Sequence, residues 1–433
     1  MKVVEVAGKW PEPDRLARKL AETPAVIVSR GAPLEKWPLV KEELRRLGVD
    51  WTRIALVDAE LDTYSTGLGV DELVELWGSV LGAARAPAVS LNVGKRLTRR
   101  ELISLGASVV LEYTGLPSID AACAKRPSCT LCIEACPYGA LKGKPPSPDP
   151  GRCLECGLCA SACPAGLVAY PPLSWNTLRT ALEEASRRGV GRVTVTCPHS
   201  RPSLYSGSPG LVVEAPCIVA VHPGARLYAE ALGLEFSEYC DSEAYARCPL
   251  KTARDIHLST LRQLGEAVEP GPLGASAGHG DPRRLLTSAR PRRSGWAELP
   301  LPLFFKVAVD GGCTLCGVCV ERCPEEALRI SIEGDKYRLY FSHAGCTGCG
   351  LCVDACPEGA ISLSWSLNPS MLGRWIPVAE SEVARCRVCG RPIGPEAEVR
   401  RIEEALERSG APRWVVESVR LCPGCKARRS MGL

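Results

Sequence analysis

The sequence predicts a multidomain protein of mixed α/β and α+β class, and three observations carry that prediction. The 433 residues include 24 cysteines, which fall into six sets of four with none left over. Residues 1–117 and 173–264 alternate short β-rich runs with amphipathic ones, as small α/β domains do. Between the cysteine-rich regions, residues 265–300 are rich in Gly, Pro and Arg and lack a hydrophobic period, which predicts a linker. The resulting segments are 1–117, 118–172, 173–264, the linker 265–300, 301–368 and 369–433.

Composition excludes several classes of function. A net charge of +4 is too small for the concentrated basic face of a nucleic-acid binder. No run of about 18 apolar residues is present, and Lys2, Glu5 and Lys9 interrupt any export signal. A cytoplasmic protein without membrane insertion is expected. Motif-spaced cysteines favour metal or cluster ligation over a disulfide scaffold, and so a reducing compartment. Only three Asn and one Gln occur, a scarcity of heat-labile amides that fits a thermophile chain.

In residues 1–117, AVIVS, RIALVDA, PAVSLNV and SVVLEY read as strands, and EKWPLVKEELRRLG and GVDELVELWGSVLG as helices. TGLGVDEL holds two glycines but no complete phosphate-binding motif, so it reads as a helix start. RLTRRELI, with Arg99 and Arg100, resembles a twin-arginine signal and the arginine motif ahead of the modules of nitrate-reductase accessory ferredoxins. Its position is wrong for export. PRRLLTSA places Arg283 and Arg284 similarly, and both pairs read as solvated arginines or docking elements.

Four sets are compact: Cys123, Cys129, Cys132 and Cys136; Cys153, Cys156, Cys159 and Cys163; Cys313, Cys316, Cys319 and Cys323; Cys346, Cys349, Cys352 and Cys356. Two-residue gaps let three thiolates wrap one face of an iron–sulfur cube, and small residues such as Gly157, Gly317, Gly348 and Gly350 permit close backbone approach. The fourth cysteine, three residues on and followed by Pro, faces away.

CLECGLCASACPAG, CTLCGVCVERCPEEAL and CTGCGLCVDACPEGAI resemble bacterial two-cluster ferredoxins, in which the fourth cysteine ligates the other cluster. The resemblance implies two ferredoxin-like dicluster modules, as in a polyferredoxin. It assigns Cys313, Cys316, Cys319 and Cys356 to one 4Fe-4S cluster, and Cys346, Cys349, Cys352 and Cys323 to its neighbour. RISIEGDKYRLYF resembles the family's hairpin, turning near Gly334 and Asp335. In the first module it assigns Cys153, Cys156, Cys159 and Cys136 to one cluster, and Cys123, Cys129, Cys132 and Cys163 to the other. CAKRPSCTLC departs from the pattern with five residues after its first cysteine, which brings Lys125 and Arg126 beside a ligand.

Cys197, Cys217, Cys240 and Cys248 are widely spaced, in sequence that reads as strands (GRVTVTCP, GLVVEAPC, FSEYC) and a helix (HPGARLYAEALG). The arrangement resembles the small iron–sulfur subunit of methyl-viologen-reducing hydrogenases, which passes electrons to heterodisulfide reductase. That resemblance implies a fifth cluster; disulfides or buried thiols are the alternative, and His199 and His222 are further candidate ligands. CRVCG and LCPGCK, carrying Cys386, Cys389, Cys422 and Cys425, have the two-knuckle spacing of a zinc ribbon or a rubredoxin. Both are four-thiolate sites, and structural zinc is expected, with iron as the alternative.

These readings converge on an electron-transfer subunit of an oxidoreductase system, with no residue acting as acid, base or nucleophile. The expected partners are a ferredoxin, a hydrogenase or the catalytic subunit of a reductase. The alternatives are an accessory ferredoxin for maturation of a molybdenum enzyme and a reductase with its chemistry at the Cys197 set.

Overall fold

Strands Lys2–Ala7, Ala25–Arg30 and Ile54–Asp58 pair in parallel, in that order, to form the first sheet. Their side chains alternate between two faces. Val26, Val28, Ala55 and Val57 meet Leu73, Leu76, Trp77 and Val80 of helix Val70–Gly82 on one side. Ala25, Ile27, Ile54 and Leu56 meet Leu16, Trp37, Val40 and Leu44 on the other. TGLGVDEL is a helix boundary, as read: Gly67 takes the left-handed conformation that ends one helix, and Gly69 N–H donates to Glu72 at the start of the next. This computed structural model describes residues 1–20, 24–83, 88–91, 111–205, 207, 209–241, 243, 247–269 and 289–430. The two arginine motifs, with Arg99, Arg100, Arg283 and Arg284, lie outside the described residues.

A second parallel sheet places Arg192–Thr196 between Leu211–Glu214 and Glu235–Tyr239. Helix Trp175–Arg187 is capped by Ser174, whose Oγ accepts Thr177 N–H. Its Leu178, Ala181, Leu182 and Ala185 recur at helical spacing and enter the same core as the first sheet. Two sheets that are far apart in sequence therefore bury their inner faces together, each Val or Leu contributing about 1.5–3 kcal/mol.

A buried ionic network reinforces that join. The Arg201 guanidinium donates to Asp62 Oδ2 at 2.9 Å and to Leu56 O at 2.9 Å, and sits 3.5 Å from Glu214. Lys41 Nζ reaches Glu214 Oε1 at 2.5 Å, and Trp37 Nε1 donates to its Oε2 at 2.9 Å. Burial alone would raise the Glu214 carboxyl, but Lys41 and Arg201 hold it below its ordinary value. For Asp62 burial prevails and the carboxyl is raised.

The segment expected to be a flexible or surface-lying linker has structured ends. Helix Lys251–Ala267 runs into it, and Val268–Glu269 pairs antiparallel with Arg290–Pro291. The chain divides into two compact units, Met1–Arg292 and Arg293–Leu433.

In the second unit, Leu328–Glu333 and Lys336–Ser342 form the hairpin expected around Gly334. The long strand Trp375–Arg385 pairs with the second hairpin strand and in turn with Pro392–Pro395, giving a four-stranded sheet. Phe305–Val309 pairs separately with Ile361–Trp365. Among the described residues, no helix is long and apolar enough to cross a membrane.

Candidate metal and cluster centres

The second cysteine pair of the chain's repeat shows how spacing becomes a cradle. In the runs starting at Cys153, Cys313 and Cys346, the residue before the second cysteine has positive φ: Glu155 at 50°, Leu315 at 57° and Gly348 at 63°. The following glycines, Gly157, Gly317 and Gly350, are also left-handed, at 80° to 84°. This backbone aims the amide of Glu155, Leu315 or Gly348 back at the sulfur of the first cysteine. Gly348 N–H donates to Cys346 Sγ at 3.4 Å, and Ala327 N–H to Cys323 Sγ at 3.2 Å. Such donors favour thiolate and cluster sulfur alike.

Two cavities follow in the second module. One is lined by Cys313, Cys316, Cys319 and Cys356 together with Ile330, Leu339 and Ile361. The other is lined by Cys323, Cys346, Cys349 and Cys352 together with Val307 and Phe341. Each cavity thus collects three cysteines from one run and the last from the other. Burial pushes the Cys319 thiol up to about 11 and Cys346 and Cys352 up to about 12, with the neighbouring cysteines adding repulsion. Four cysteines around one apolar cavity, exposed only at Cys316, ionise together only with a cationic group among them, and an iron–sulfur cube fits that demand.

The first module repeats the crossing. Cys132 lies within electrostatic reach of Cys123, Cys129 and Cys163, and Cys156 and Cys159 of Cys136 and Cys153. The third cysteines lie within electrostatic reach of each other across each module, Cys159 of Cys132 and Cys352 of Cys319. CAKRPSC is where the modules differ: instead of a left-handed turn it forms a 3-10 turn, Ala121–Lys125. Lys125 is exposed, whereas half-buried Arg126 lies within electrostatic reach of Cys123.

The widely spaced set also gathers. Cys217 has Cys197 and Cys248 as neighbours, as does Cys240. Cys197 and Cys240 share one buried hydroxyl: Cys197 Sγ donates to Ser200 Oγ at 3.3 Å, and Ser200 in turn hydrogen-bonds Cys240. Ser200, whose Oγ also accepts Asp241 N–H at 3.0 Å, was not singled out by sequence, and only its position three residues after Cys197 could have suggested it. All 24 cysteines carry free thiols, so the disulfide alternative for this set has no counterpart in the structure. His199 stays exposed in a cleft with Pro198 and Pro216. His222 is buried, accepts Gly224 N–H at Nδ1, and lines a cavity with Cys163, a member of another set.

At the C-terminus the sulfurs of Cys386, Cys389, Cys422 and Cys425 all lie within 4.8 Å of one another, and Cys389 and Cys422 are 3.6 Å apart. A tetrahedral ion with metal–sulfur bonds of ~2.3 Å separates its ligands by ~3.8 Å, so this site fits a single ion. Among the described residues it is the only group of potential ligands packed so closely. Backbone amides of Cys422 and Cys389 draw the Cys386 thiol down to about 6. Arg420, two residues before Cys422, forks onto Glu396 at 2.8 and 3.0 Å and onto Glu403 at 2.7 and 2.8 Å, tying the second knuckle to helix Glu396–Arg408.

Residues 312–360 match the family model of a 4Fe-4S dicluster domain, and residues 146–168 that of a 4Fe-4S binding domain. Both stretches are similar to ferredoxin-type iron–sulfur domains. The first half of the first module, which contains CAKRPSC, falls outside the matched residues. No curated protein matches the chain.

Proposed function

We propose that the protein is a polyferredoxin-like electron relay with four 4Fe-4S clusters. The observation that carries this reading is the pair of cavities in the second module, each lined by three cysteines of one run and the fourth of the other. Each cube, when bound, accepts or gives one electron. The chain holds the cubes: Cys313, Cys316, Cys319 and Cys356 would hold one, and Cys323, Cys346, Cys349 and Cys352 the next. Cys123, Cys129, Cys132 and Cys163 would hold a third, and Cys136, Cys153, Cys156 and Cys159 the fourth. The Cys197, Cys217, Cys240 and Cys248 set would hold a fifth iron–sulfur centre, and Cys386, Cys389, Cys422 and Cys425 a structural zinc. Partners would be a ferredoxin or hydrogenase on one side and a reductase catalytic subunit on the other. Anaerobically purified protein is expected to carry ~16 iron and ~16 sulfide from the four cubes alone. Zinc in place of more than half of that iron overturns the relay.

A second reading, a reductase with its chemistry at the Cys197 set, is favoured by one observation. A cleft lined by Lys41, Arg45, Trp51, Glu155 and Pro216 borders both a cube-binding loop and the Cys197 set. Steady consumption of a small acceptor by the isolated reduced protein would support it over the relay.

A further inference from the structure

Three cysteine sets share the unit Met1–Arg292, and their order is set by which cysteines adjoin. Cys159 lies within electrostatic reach of Cys132 between the two cube sets, and Cys217 of Cys156 between a cube set and the widely spaced set. The second approach is built with care. Gly157, next to Cys156, packs so closely on the turn Ile218–Ala220 that a Cβ there would lie 2.7 Å from the Ala220 Cβ. Ser161 Oγ donates to Val219 O at 2.8 Å, tying the helix that follows Cys156 to the turn that follows Cys217.

Two tyrosines close the same gap. Tyr138, two residues after Cys136, lies beside Cys156, Cys217 and Cys248, and its hydroxyl donates to Pro249 O at 3.4 Å. Tyr170 is buried beside Cys156 and Cys217, and its hydroxyl donates to Glu155 O at 2.5 Å. The Tyr170 ring is buried and leaves no room for water where it packs, which lowers the solvent rearrangement that accompanies a moving charge, whereas Tyr138 is half-buried.

We propose that the centre at Cys197, Cys217, Cys240 and Cys248 exchanges electrons with the cube held by Cys136, Cys153, Cys156 and Cys159 across the Cys156–Cys217 approach. The fifth centre then joins the two cubes of this unit through the cube nearest Cys217. The proposal rests on the fifth-centre reading given above. The step moves one electron: the cube is oxidised, the fifth centre is reduced, and no bond forms or breaks. The reverse step exchanges those roles.

The test is pulsed electron paramagnetic resonance on the full-length, anaerobically purified protein, reduced until both centres carry an unpaired electron. The fifth centre's signal is expected to show magnetic splitting from its neighbour. Cys217→Ser should remove that signal together with the iron in excess of ~16 per chain. Freeze-quench reduction with a one-electron donor should show the fifth centre filling more slowly in Cys153→Ser than in wild type. Excess iron with an unsplit signal in the wild-type protein overturns the electron path and leaves the fifth centre standing. Wild-type protein without excess iron overturns both.

Discussion

The two cysteine modules share a ligand pattern and differ in what surrounds it. The first has only two-residue pairings, Leu141–Lys142 with Ser147–Pro148 and Ser118–Ile119 with Val168–Ala169, and leans on the α/β core through Gly157, Ser161 and Tyr170. The second carries the full hairpin Leu328–Ser342, and the strand Trp375–Arg385 extends it toward the four-thiolate site. Ligand placement is thus a local property of spacing and left-handed turns, whereas rigidity comes from remote sequence. The same difference means that deleting residues 369–433 as a module would strip a strand from the hairpin. Point variants of its cysteines are the cleaner test of its metal.

The largest expected effect that would sharpen this contrast is at Gly348, where a Cβ would lie 2.2 Å from the Phe305 ring at a φ of 63°. Gly348→Ala should cost the protein ~8 of the ~16 cube irons proposed above, all from the second module, as counted by iron assay and visible absorption. Loss spread evenly over both modules would show that their folding is linked.

Acid should also separate the modules. His343 is fully buried among Trp296, Phe304 and Phe341. Its Nδ1–H donates to Phe305 O and its Nε2 accepts Asn368 N–H, which requires the neutral ring. Burial pushes its pKa down from 6.5 to about 4. Because the unfolded chain takes up the proton first, the stability this neutral ring supplies is fully present above about 6.5 and is lost as pH falls toward 4. The loss reaches about 3 kcal/mol for the second unit. Denaturant midpoints measured against pH for wild type and His343→Gln check it, and a slope unchanged by the substitution would refute it. No histidine occurs in residues 118–172, so no buried histidine within the first module supplies such a response.

The smallest effect lies in CAKRPSC. A positive charge near a cube stabilises its reduced form, and water screens that influence. Half-buried Arg126 is near Cys123 while Lys125 is exposed, so Arg126→Ala should lower the midpoint of one cluster and Lys125→Ala should leave it in place. A redox titration followed by electron paramagnetic resonance distinguishes them. Equal shifts from both variants would mean that the turn Ala121–Lys125 does not sort the two charges.

Cysteine spacing made the compact runs and the two C-terminal knuckles legible, because cysteines two or three residues apart are governed by local backbone geometry, whereas Cys197, Cys217, Cys240 and Cys248 stood out only as the set left over. The strands GRVTVTCP and FSEYC were legible for a similar reason, their period being written in adjacent residues. What spacing could not disclose was pairing over distance. Arg201 and Asp62 are remote in sequence, and neither stands in a motif. Trp375–Arg385 alternates like any strand and gives no sign that its partner is the ferredoxin-like hairpin. Ser200 shares that obscurity, since a hydroxyl between two cysteines has no sequence signature of its own.

The exchange of fourth cysteines has a consequence during synthesis. As the chain leaves the ribosome, Cys313, Cys316 and Cys319 emerge as an open half-site, and the cavity they line gains its last wall only with Cys356, the final cysteine of the module. Cys323 emerges early and waits for Cys346, Cys349 and Cys352. A nascent chain halted between the two runs holds four of the module's eight cysteines but no finished cradle. A cube could find all four of its cysteines only once the end of the module has emerged; before that the chain offers three thiols and a bystander.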